Sequence, residues 1–515
     1  MSTQKIACLA VIAGILFLTS GLGQALGETD ENFRSIGTYR GTLYGRGTVT
    51  IEAGRTIATF EGAKLPEYVG KGDQLKIGKE KLYILNILKN NQVEVQKPAA
   101  KNHVNRRYRI RRAFASIQAW ENARDGDLVG QNRREIGICY NDGPFRRLKS
   151  KALVTIDGSN TDSEHFMWLT AAEFDRHNGL DRTGVVLDGS NVNKYGIRIR
   201  DDYTRVQGLE LKRFRHGKGS AAVHVRRAQH VFLGQLIIHK FNSRGFEAVG
   251  IKGSKESDFT AQNCIIYNGG AAAIQTTRWG SSATIRNCTI YGMRGYGVYE
   301  DRGVYSVTNT ISMNNRLGDF HVFRGEQDFN ISSDDTAAGQ NSMVGLNPAD
   351  NFVSVVKHQE DFHLKEGSDA IDAGMMASIS YSAFRKIDHS SAESVDIDID
   401  GSERPAGKTW DIGADEYESI VVEEETPSDP PVIIEEAPVI IEEAPVAIEE
   451  APVVIEEAPV ANEEAPVVIE EAPVIIEEAP VVIEEAPVII EEAPVVIEEA
   501  PVIIEEAPVV IEELA

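Results

Sequence analysis

The sequence predicts an all-β protein built around a parallel β-helix, and three observations lead to this prediction. Segments with alternating apolar residues recur every 22–26 residues between positions 196 and 324, and alternation with period 2 is typical of a strand with one buried face. A second set of short apolar segments, such as LII at 236–238, lies between members of the first set. Helical patterns of ten or more residues do not separate these segments, which excludes a sheet of βαβ units and favours a coil of stacked strands.

Each coil is expected to contain one strand from each set. The first set comprises GIRIRD at 196–201, AVHVRR at 222–227, AVGIKG at 248–253, AIQTTR at 273–278, GVYEDR at 297–302 and FHVFR at 320–324. The second set comprises LEL at 209–211, LII at 236–238, CII at 264–266, CTI at 288–290 and NTI at 309–311. Neighbouring coils should then lie one strand spacing apart, about 4.8 Å.

Asparagine recurs at the turn before the second strand of a coil, at Asn263, Asn287 and Asn309. Asparagine tolerates the left-handed conformation, and stacked amides can hydrogen-bond along the coil. An asparagine ladder in this place, together with the two strand sets, resembles the right-handed parallel β-helices of the pectate-lyase-like superfamily. The resemblance implies that the coil is right-handed.

Residues 1–27 resemble a secretory signal, with Lys5, an apolar run from Ile6 to Leu18, and the small residues Ala25 and Gly27 before the expected cleavage point. A membrane anchor is the alternative, but the apolar run is short for a bilayer span. We therefore expect a secreted or cell-surface protein with no transmembrane segment after signal removal.

Two elements are expected before the regular coils. Residues 28–110 contain short β-like runs such as GTVTIEA at 47–53, which predict a small antiparallel domain. We expect this domain to be a packing or spacer module, with a binding role as the alternative. Phe114, Ile117 and Trp120 then share one helical face, so residues 112–123 should form a helix that caps a β-helix over 111–345. The pattern SIQAW…ARDGDLV resembles the cap helix and first coil of pectate-lyase-like proteins.

Residues 346–417 carry the most specific motifs, and we assign them to the C-terminal part of the β-helix region. They contain S-x-A-I-D-x-G at 368–374, D-x-D-G-x-x-R-P at 398–405 and D-I-G-A-x-E at 411–416. This combination resembles the ending of a large group of exported bacterial β-helix proteins. The resemblance implies fold and export more than a particular chemistry.

Residues 418–515 form an acidic heptad repeat with a proline at every seventh position from 431 to 508. Proline in each heptad opposes a coiled coil, so we expect an extended, disordered tail. Residues 421–515 contain 28 acidic and no basic residues, so the formal charge of −25 leaves −25 + 28 = +3 for residues 1–420. Export and an acidic tail argue against a nucleic-acid partner.

Basic residues recur at the ends of the first strand set. They are Arg200, Arg226, Lys252, Arg278, Arg302 and Arg324, and they predict a basic stripe parallel to the coil axis. A regular cationic track matches a repeating anion, which favours an acidic polysaccharide or another cell-envelope component as the partner. The alternative is a solvated edge neutralised by nearby acidic residues, namely Asp201, Asp202, Glu300, Asp301 and Glu326.

The sequence leaves catalysis open. Related lyases use calcium with an arginine or lysine base, and related hydrolases use paired carboxylates. The residues that could serve in this way are Asp201, Asp202, His224, Arg226, Glu300 and Asp301, but no hydrolase-like NTD, GHG or RIK set occurs. The protein is therefore expected to bind polysaccharide, with a polysaccharide lyase, a glycoside hydrolase or a structural envelope protein with a spacer tail as alternatives.

Two smaller predictions concern calcium and cysteine. Asp396, Asp398, Asp400 and Gly401 read D-x-D-x-D-G, the opening of a calcium loop, but position 407 is glycine where a closing glutamate would stand. We therefore expect no cofactor, with calcium as the alternative. Cys264 and Cys288 occupy equivalent inward positions on neighbouring coils, which predicts buried thiols, with a disulfide as the alternative.

Overall fold

The structure is a computed structural model that describes residues 29–214, 219–241, 248–376 and 397–418. The chain divides into two units, Met1–Glu424 and Glu425–Ala515, and all described residues belong to the first. The signal segment predicted at 1–27, the tail predicted from residue 418 onward except Glu418 itself, and Asp396 lie outside the described residues, as does the side chain of Arg278.

The regular secondary structure of the described chain is almost entirely β, with helices α1 (Ile117–Arg124) and α2 (Pro348–Asn351). In chain order the strands are β1 (Asp30–Ile36), β2 (Thr48–Ile51), β3 (Ile57–Glu61), β4 (Gln74–Ile77), β5 (Glu80–Leu88), β6 (Gln92–Val95), β7 (His103–Arg106), β8 (Tyr108–Arg111), β9 (Arg133–Cys139), β10 (Ser150–Ile156), β11 (Met167–Ala171), β12 (Val186–Asp188), β13 (Val192–Ile199), β14 (Arg205–Gln207), β15 (Glu210–Lys212), β16 (Ala221–Arg226), β17 (Val231–Gly234), β18 (Ile237–His239), β19 (Val249–Ser254), β20 (Asp258–Gln262), β21 (Ile265–Tyr267), β22 (Ala272–Arg286), β23 (Thr289–Tyr291), β24 (Tyr296–Thr308), β25 (Ile311–Met313), β26 (Gly318–His321), β27 (Gly325–Asp328), β28 (Ile331–Ser332), β29 (Phe352–Ser354) and β30 (Asp361–Leu364).

The predicted coil of stacked parallel strands is confirmed, but each regular coil has three faces where the sequence predicted two strands, and faces A and B are joined in one sheet through β22 and β24. Face A contains β10, β13, β16, β19, the first halves of β22 and β24, and β26. Face B contains β1, β9, β11, β14, β17, β20, the second halves of β22 and β24, and β27. Face C contains β12, β15, β18, β21, β23, β25 and β28. The side chains that point inward from face A, such as Ile197, Val223, Ile251, Ile274 and Val298, are buried in one continuous core.

The cap helix is confirmed, but it is shorter than predicted and it is not the first element of the coil. Helix α1 starts after Ser116, whose hydroxyl accepts a hydrogen bond from the Ala119 amide, and it buries Trp120 against Gly137. Strand β1, which precedes α1 in the chain, pairs in parallel with β9 and is the first strand of face B. The sequence analysis had placed β1 within the small N-terminal domain, because an isolated seven-residue strand carries no repeat.

The small β-domain contains β2–β8 in one antiparallel sheet with its own apolar core. Arg112 ties it to the β-helix, since its guanidinium lies 2.9 Å from both Asp73 and Asp142 and stacks on Tyr140. Besides the chain connection through β1, a buried ionic contact therefore holds the small β-domain to the β-helix.

The described parts of the C-terminal region, 346–376 and 397–417, lie against the outside of face C and add no further coil. Phe352, Phe362 and Ile412 join outward residues of face C, such as Ile265 and Ile311, in a second apolar cluster. Asparagine side chains guide this docking: Asn309 donates to the Met375 carbonyl at 2.7 Å and Asn263 donates to the Ile397 carbonyl. The C-terminal motifs are recognisable in the sequence, but the surface that they cover is not.

Two smaller predictions are confirmed. Asn263, Asn287 and Asn309 have φ values of 50°, 48° and 49°, in the left-handed region, and Asn309 donates to Asn287 at 3.3 Å. Cys264 and Cys288 are free and fully buried on adjacent coils. Among the described residues, no helix is long and apolar enough to cross a membrane.

Candidate functional site

The outward surface of face A brings together the residues that could meet a ligand. Parallel register places one outward side chain of each strand directly beside the next, and we call this line the outer column. Its members are Arg198, His224, Lys252, Gln275, Tyr299 and His321. Because adjacent strands are about 4.8 Å apart, the column is a straight track along the coil axis.

The first half of the track is cationic. His224 is only 5% exposed and lies among Lys194, Arg198, Arg226 and Lys252, which we call the cationic cluster. Burial, followed by the positive charges of this cluster, lowers the pKa of His224 to about 3, so the imidazole is neutral at physiological pH.

The neutral imidazole is only partly satisfied by its neighbours. Its Nε2 lies 2.9 Å from the Ser254 hydroxyl, and its ring stacks on Tyr195 at 4.5 Å. Its Nδ1 has no hydrogen-bond partner within the described part of the chain. This Nδ1 atom is itself buried, so the unmet hydrogen-bonding capacity lies beneath the surface of face A.

Of the acidic residues in the described ranges, Asp301 acts on the cationic cluster, through its charge beside Lys252. Among the described residues, no carboxylate lies within ion-pair distance of Arg198, Arg226 or Lys252. Burial and the charge of Lys194 lower the pKa of Lys252, and burial followed by Arg227 and Arg198 lowers the pKa of Arg226. Because like charges are held close together, a bound anion would relieve their repulsion.

The prediction that the basic residues form a single line along the coil axis is wrong. In the structure they fall into separate groups. Register pairs Lys252 with His224, whereas Arg226 pairs with Ser254, so these two cations occupy neighbouring columns. A two-residue slip keeps every apolar residue on the same face, which is why the sequence pattern did not reveal it.

The other stripe residues differ in their partners. Arg200 pairs with Asp157, and the guanidinium of Arg324 lies 3.3 Å from Glu300 and 4.3 Å from the centre of the Trp279 ring. Arg302 is exposed. The backbone of Arg278 lies in β22, and its side chain is outside the described residues.

The acidic residues considered for catalysis mostly bind the protein's own backbone. Asp201 is buried and accepts hydrogen bonds from the amides of Gly158 and Ser159. Asp202 accepts from the Gln229 amide. Glu300 is buried and accepts from the amides of Phe323 and Arg324. These three carboxylates therefore hold turns of the backbone. Asp301, in contrast, is exposed, and its negative charge favours the charged form of the nearby Lys252.

The second half of the track is aromatic, and the sequence analysis missed it. Tyr299 stacks on Tyr296 at 4.7 Å and on His321 at 5.0 Å, and Phe323 meets the edge of His321 at 4.4 Å. Trp279 and Phe323 are 64% and 72% exposed. We call these five residues the aromatic patch. Each ring stands in a quoted strand or next to one, but only the register between strands brings them together.

The described part of the D-x-D-x-D-G segment is a turn. Asp398 is buried, and its Oδ1 accepts hydrogen bonds from the amides of Asp400, Gly401 and Ser402. Asp400 instead faces His363, whose Nε2 lies 3.7 Å from its Oδ2. The Oδ1 atom of Asp398 is therefore used by the backbone of this turn.

Comparison with known proteins supports the fold. A family model described as a right-handed β-helix region matches residues 182–339. A search of curated proteins gave no match. Together with the stacked parallel strands, the family match shows that the chain contains a right-handed parallel β-helix.

Similar solved structures include two phage tailspikes and a glucanase. The tailspike gp49 of Pseudomonas phage LKA1 is 12% identical over 59% of this chain and 49% of its own, with a TM-score of 0.17. A catalytic domain of a GH87 α-1,3-glucanase in complex with nigerose is 11% identical over 58% and 68%, with a TM-score of 0.18. The Gp54 tailspike of Acinetobacter baumannii bacteriophage AP22, in complex with capsular saccharide, is 10% identical over 61% and 66%, with a TM-score of 0.12. The chain thus spans about half the length of the LKA1 tailspike, and these low scores carry no argument about function.

Proposed function

We propose that this is an exported or cell-surface protein that binds an acidic polysaccharide along face A. The observation that carries the proposal is the outer column, which joins the cationic cluster to the aromatic patch on one straight track. A glycan chain lying on this track would place its anionic groups against Arg198, Arg226 and Lys252 and its sugar rings against Tyr299 and its neighbours.

The two halves of the track offer different kinds of contact. Guanidinium and ammonium groups attract carboxylate or sulfate at a distance and are screened by salt. Aromatic rings offer flat apolar surface with little loss of side-chain entropy, and their contribution depends much less on ionic strength. A polymer that repeats an acidic sugar and a neutral sugar would use both halves at once.

The decisive experiment reverses two charges of the cationic cluster. Arg226→Glu combined with Lys252→Glu replaces attraction by repulsion, so we expect the affinity for the bound acidic glycan to fall about tenfold or more. Binding is measured with immobilised polygalacturonate, alginate and hyaluronan at low and high salt. Wild-type affinity should fall as salt rises, because exposed charges are screened over about 8–10 Å near physiological ionic strength.

The matched control is Lys76→Glu combined with Arg109→Glu. These exposed cations are paired across β4 and β8 on the small β-domain, so the double reversal makes the same change in net charge away from face A. The proposal predicts that the control keeps wild-type affinity. A folded Arg226→Glu/Lys252→Glu protein that binds every acidic glycan as tightly as wild type would reject face A as the binding surface.

Product analysis in the same samples separates binding from catalysis. A polysaccharide lyase would generate unsaturated uronates, and a glycoside hydrolase would generate new reducing ends. Unchanged glycan recovered from wild type would favour a binding protein. Failure of wild type to bind any glycan would favour a structural envelope protein whose repeat tail sets a distance.

A further inference from the structure

We propose that a cleft between the small β-domain and the start of the β-helix binds a sugar that carries a phosphate monoester. The cleft has a volume of about 380 Å³ and is formed by β4, β5 and β8 together with the segments 39–41 and 112–115. Ligand pockets typically measure about 300–1,000 Å³, so this cleft has the size for a small ligand. It lies in a different part of the chain from the outer column, and the proposal does not rest on glycan binding along face A.

Positive charge is concentrated in the part of the chain that forms the cleft. Residues 40–112 contain 16 lysines and arginines and six aspartates and glutamates, a net charge of 16 − 6 = +10. This excess is larger than the net charge of +3 for the whole of residues 1–420. A concave surface in such a domain focuses the positive potential and favours an anionic ligand.

Three cations that line the cleft have no carboxylate partner. Arg40 and Lys81 are exposed and Arg111 is half-buried, and no carboxylate of the described residues lies within ion-pair distance of them. Glu80 precedes Lys81 in the chain, but its Oε2 lies 2.6 Å from the ring nitrogen Nε2 of His103. A bound anion would therefore supply a counter-charge that the described part of the protein does not.

The remaining cation of the cleft, Arg112, is held by the protein itself. Its guanidinium lies 2.9 Å from both Asp73 and Asp142, and neither aspartate lines the cleft. The four lining cations and these two carboxylates leave a net charge of 4 − 2 = +2. A phosphate monoester carries about −1.5 to −2 at pH 7 and has three acceptor oxygens, so it matches this charge better than a carboxylate does.

Arg111 is oriented to bind such an oxyanion. Its Nε donates to the Thr42 hydroxyl at 3.2 Å, which fixes the plane of the guanidinium. Its two NH₂ groups donate to no acceptor within the described ranges. Two parallel N–H groups of a guanidinium match two oxygens of a phosphate, which explains why arginine is favoured at phosphate sites.

Other residues of the cleft are suited to a sugar ring next to the phosphate. Tyr39 is 51% exposed and folds over Gly41, where a Cβ atom would lie 2.4 Å from the Tyr39 hydroxyl. Phe114 is half-buried against the core of the β-helix. Gln74 lies beside Arg111 in the register of β4 and β8 and offers an amide to hydroxyl groups. Flat apolar surface combined with a few polar groups is typical of small-molecule sites, and this combination favours a sugar phosphate over inorganic phosphate.

The test titrates the full chain with glucose 6-phosphate in a calorimeter, in a buffer free of phosphate. We expect glucose 6-phosphate to bind about tenfold or more tightly than glucuronate, which carries a single negative charge on a similar ring. Phosphomannan and unphosphorylated mannan form a second arm, because phosphate monoesters occur both on free sugars and on glycans. Tighter binding of phosphomannan per phosphate would assign the cleft to a phosphorylated glycan, and tighter binding of glucose 6-phosphate would assign it to a free sugar phosphate.

Two variants locate the ligand in the cleft. Lys81→Gln and Arg111→Gln should each weaken the binding of glucose 6-phosphate about tenfold, because each removes a charge-assisted contact. The matched control is Lys89→Gln. Lys89 is exposed and directly follows β5, whereas Lys81 lies near the start of that strand, so the control removes the same charge at the opposite end. The control should bind glucose 6-phosphate like wild type.

Three outcomes would overturn the proposal. Wild-type protein that binds glucose 6-phosphate no more tightly than glucuronate would reject a phosphate ligand. A Lys81→Gln protein that binds like wild type would reject the cleft, and since Lys81 is exposed this variant provides a folded test even if Arg111→Gln does not fold. Equal losses in Lys81→Gln and Lys89→Gln would show that the overall charge of the small β-domain, and not the cleft, attracts the ligand.

Discussion

The cationic cluster on face A and the buried Arg404–Glu416 pair use the same charged groups in opposite ways. Arg404 Nη1 lies 2.6 Å from Glu416 Oε2, both side chains are fully buried, and Arg404 also donates to the Gly413 carbonyl. The half-buried cations Arg198, Arg226 and Lys252 have no carboxylate partner among the described residues. Where the protein supplies the counter-charge, the cation holds the fold together. Where it does not, the cation is available to a ligand.

The largest expected effect is on stability, in the Arg404→Leu variant. This change leaves Glu416 charged and buried without its partner, which costs about 3–5 kcal/mol in the free energy of unfolding. Urea denaturation measures the loss, while glycan affinity should stay unchanged in the protein that remains folded. The control Arg302→Leu, at an exposed position, should change stability by about 0.5 kcal/mol or less. A loss below 1 kcal/mol for Arg404→Leu would break the comparison.

The next prediction tests the role of the aromatic patch in glycan binding. Tyr299→Ala removes the ring that lies between Tyr296 and His321, and we expect glycan affinity to fall about fivefold to tenfold. The loss should be similar at low and high salt, in contrast to the loss caused by charge reversal. Phe174→Ala serves as the control, because Phe174 is 96% exposed and follows β11 of face B. Equal losses in the two variants would argue against a specific role for Tyr299.

A second effect on stability concerns acid and another paired cation. Burial alone would raise the pKa of Asp188, but hydrogen bonds from Arg213 and Arg146 lower it to about 2. A carboxyl group with a lowered pKa in the folded state stabilises the fold above its unfolded pKa, about 3.9, and loses that contribution as pH falls through 2.

Asp188→Asn removes this dependence on pH. Wild type should therefore lose up to about 2 kcal/mol more stability than the variant between pH 4 and pH 2, as measured by urea denaturation at each pH. Identical pH profiles for the two proteins would contradict this contribution. The cations of face A have no carboxylate partner, so they should not contribute to stability in this pH range.

Part of the candidate site was predictable from the sequence. The strand ends indicated that Arg226 and Lys252 lie on one face, and the inward position of Cys264 and Cys288 followed from alternation alone. The aromatic patch was not predicted, because Trp279 and Phe323 stand where the strands lose their regular spacing.

The sequence by itself determined the β-helix, its cap helix and the left-handed asparagine turns. These features depend on local periodicity, and the same local pattern recurs in each repeat. Only the tertiary structure decided which residues of neighbouring coils stand side by side, since a two-residue slip leaves alternation intact. It also decided that the C-terminal motifs cover face C, because that packing depends on complementary surfaces formed by residues far apart in the chain. The outer column arises at this second level.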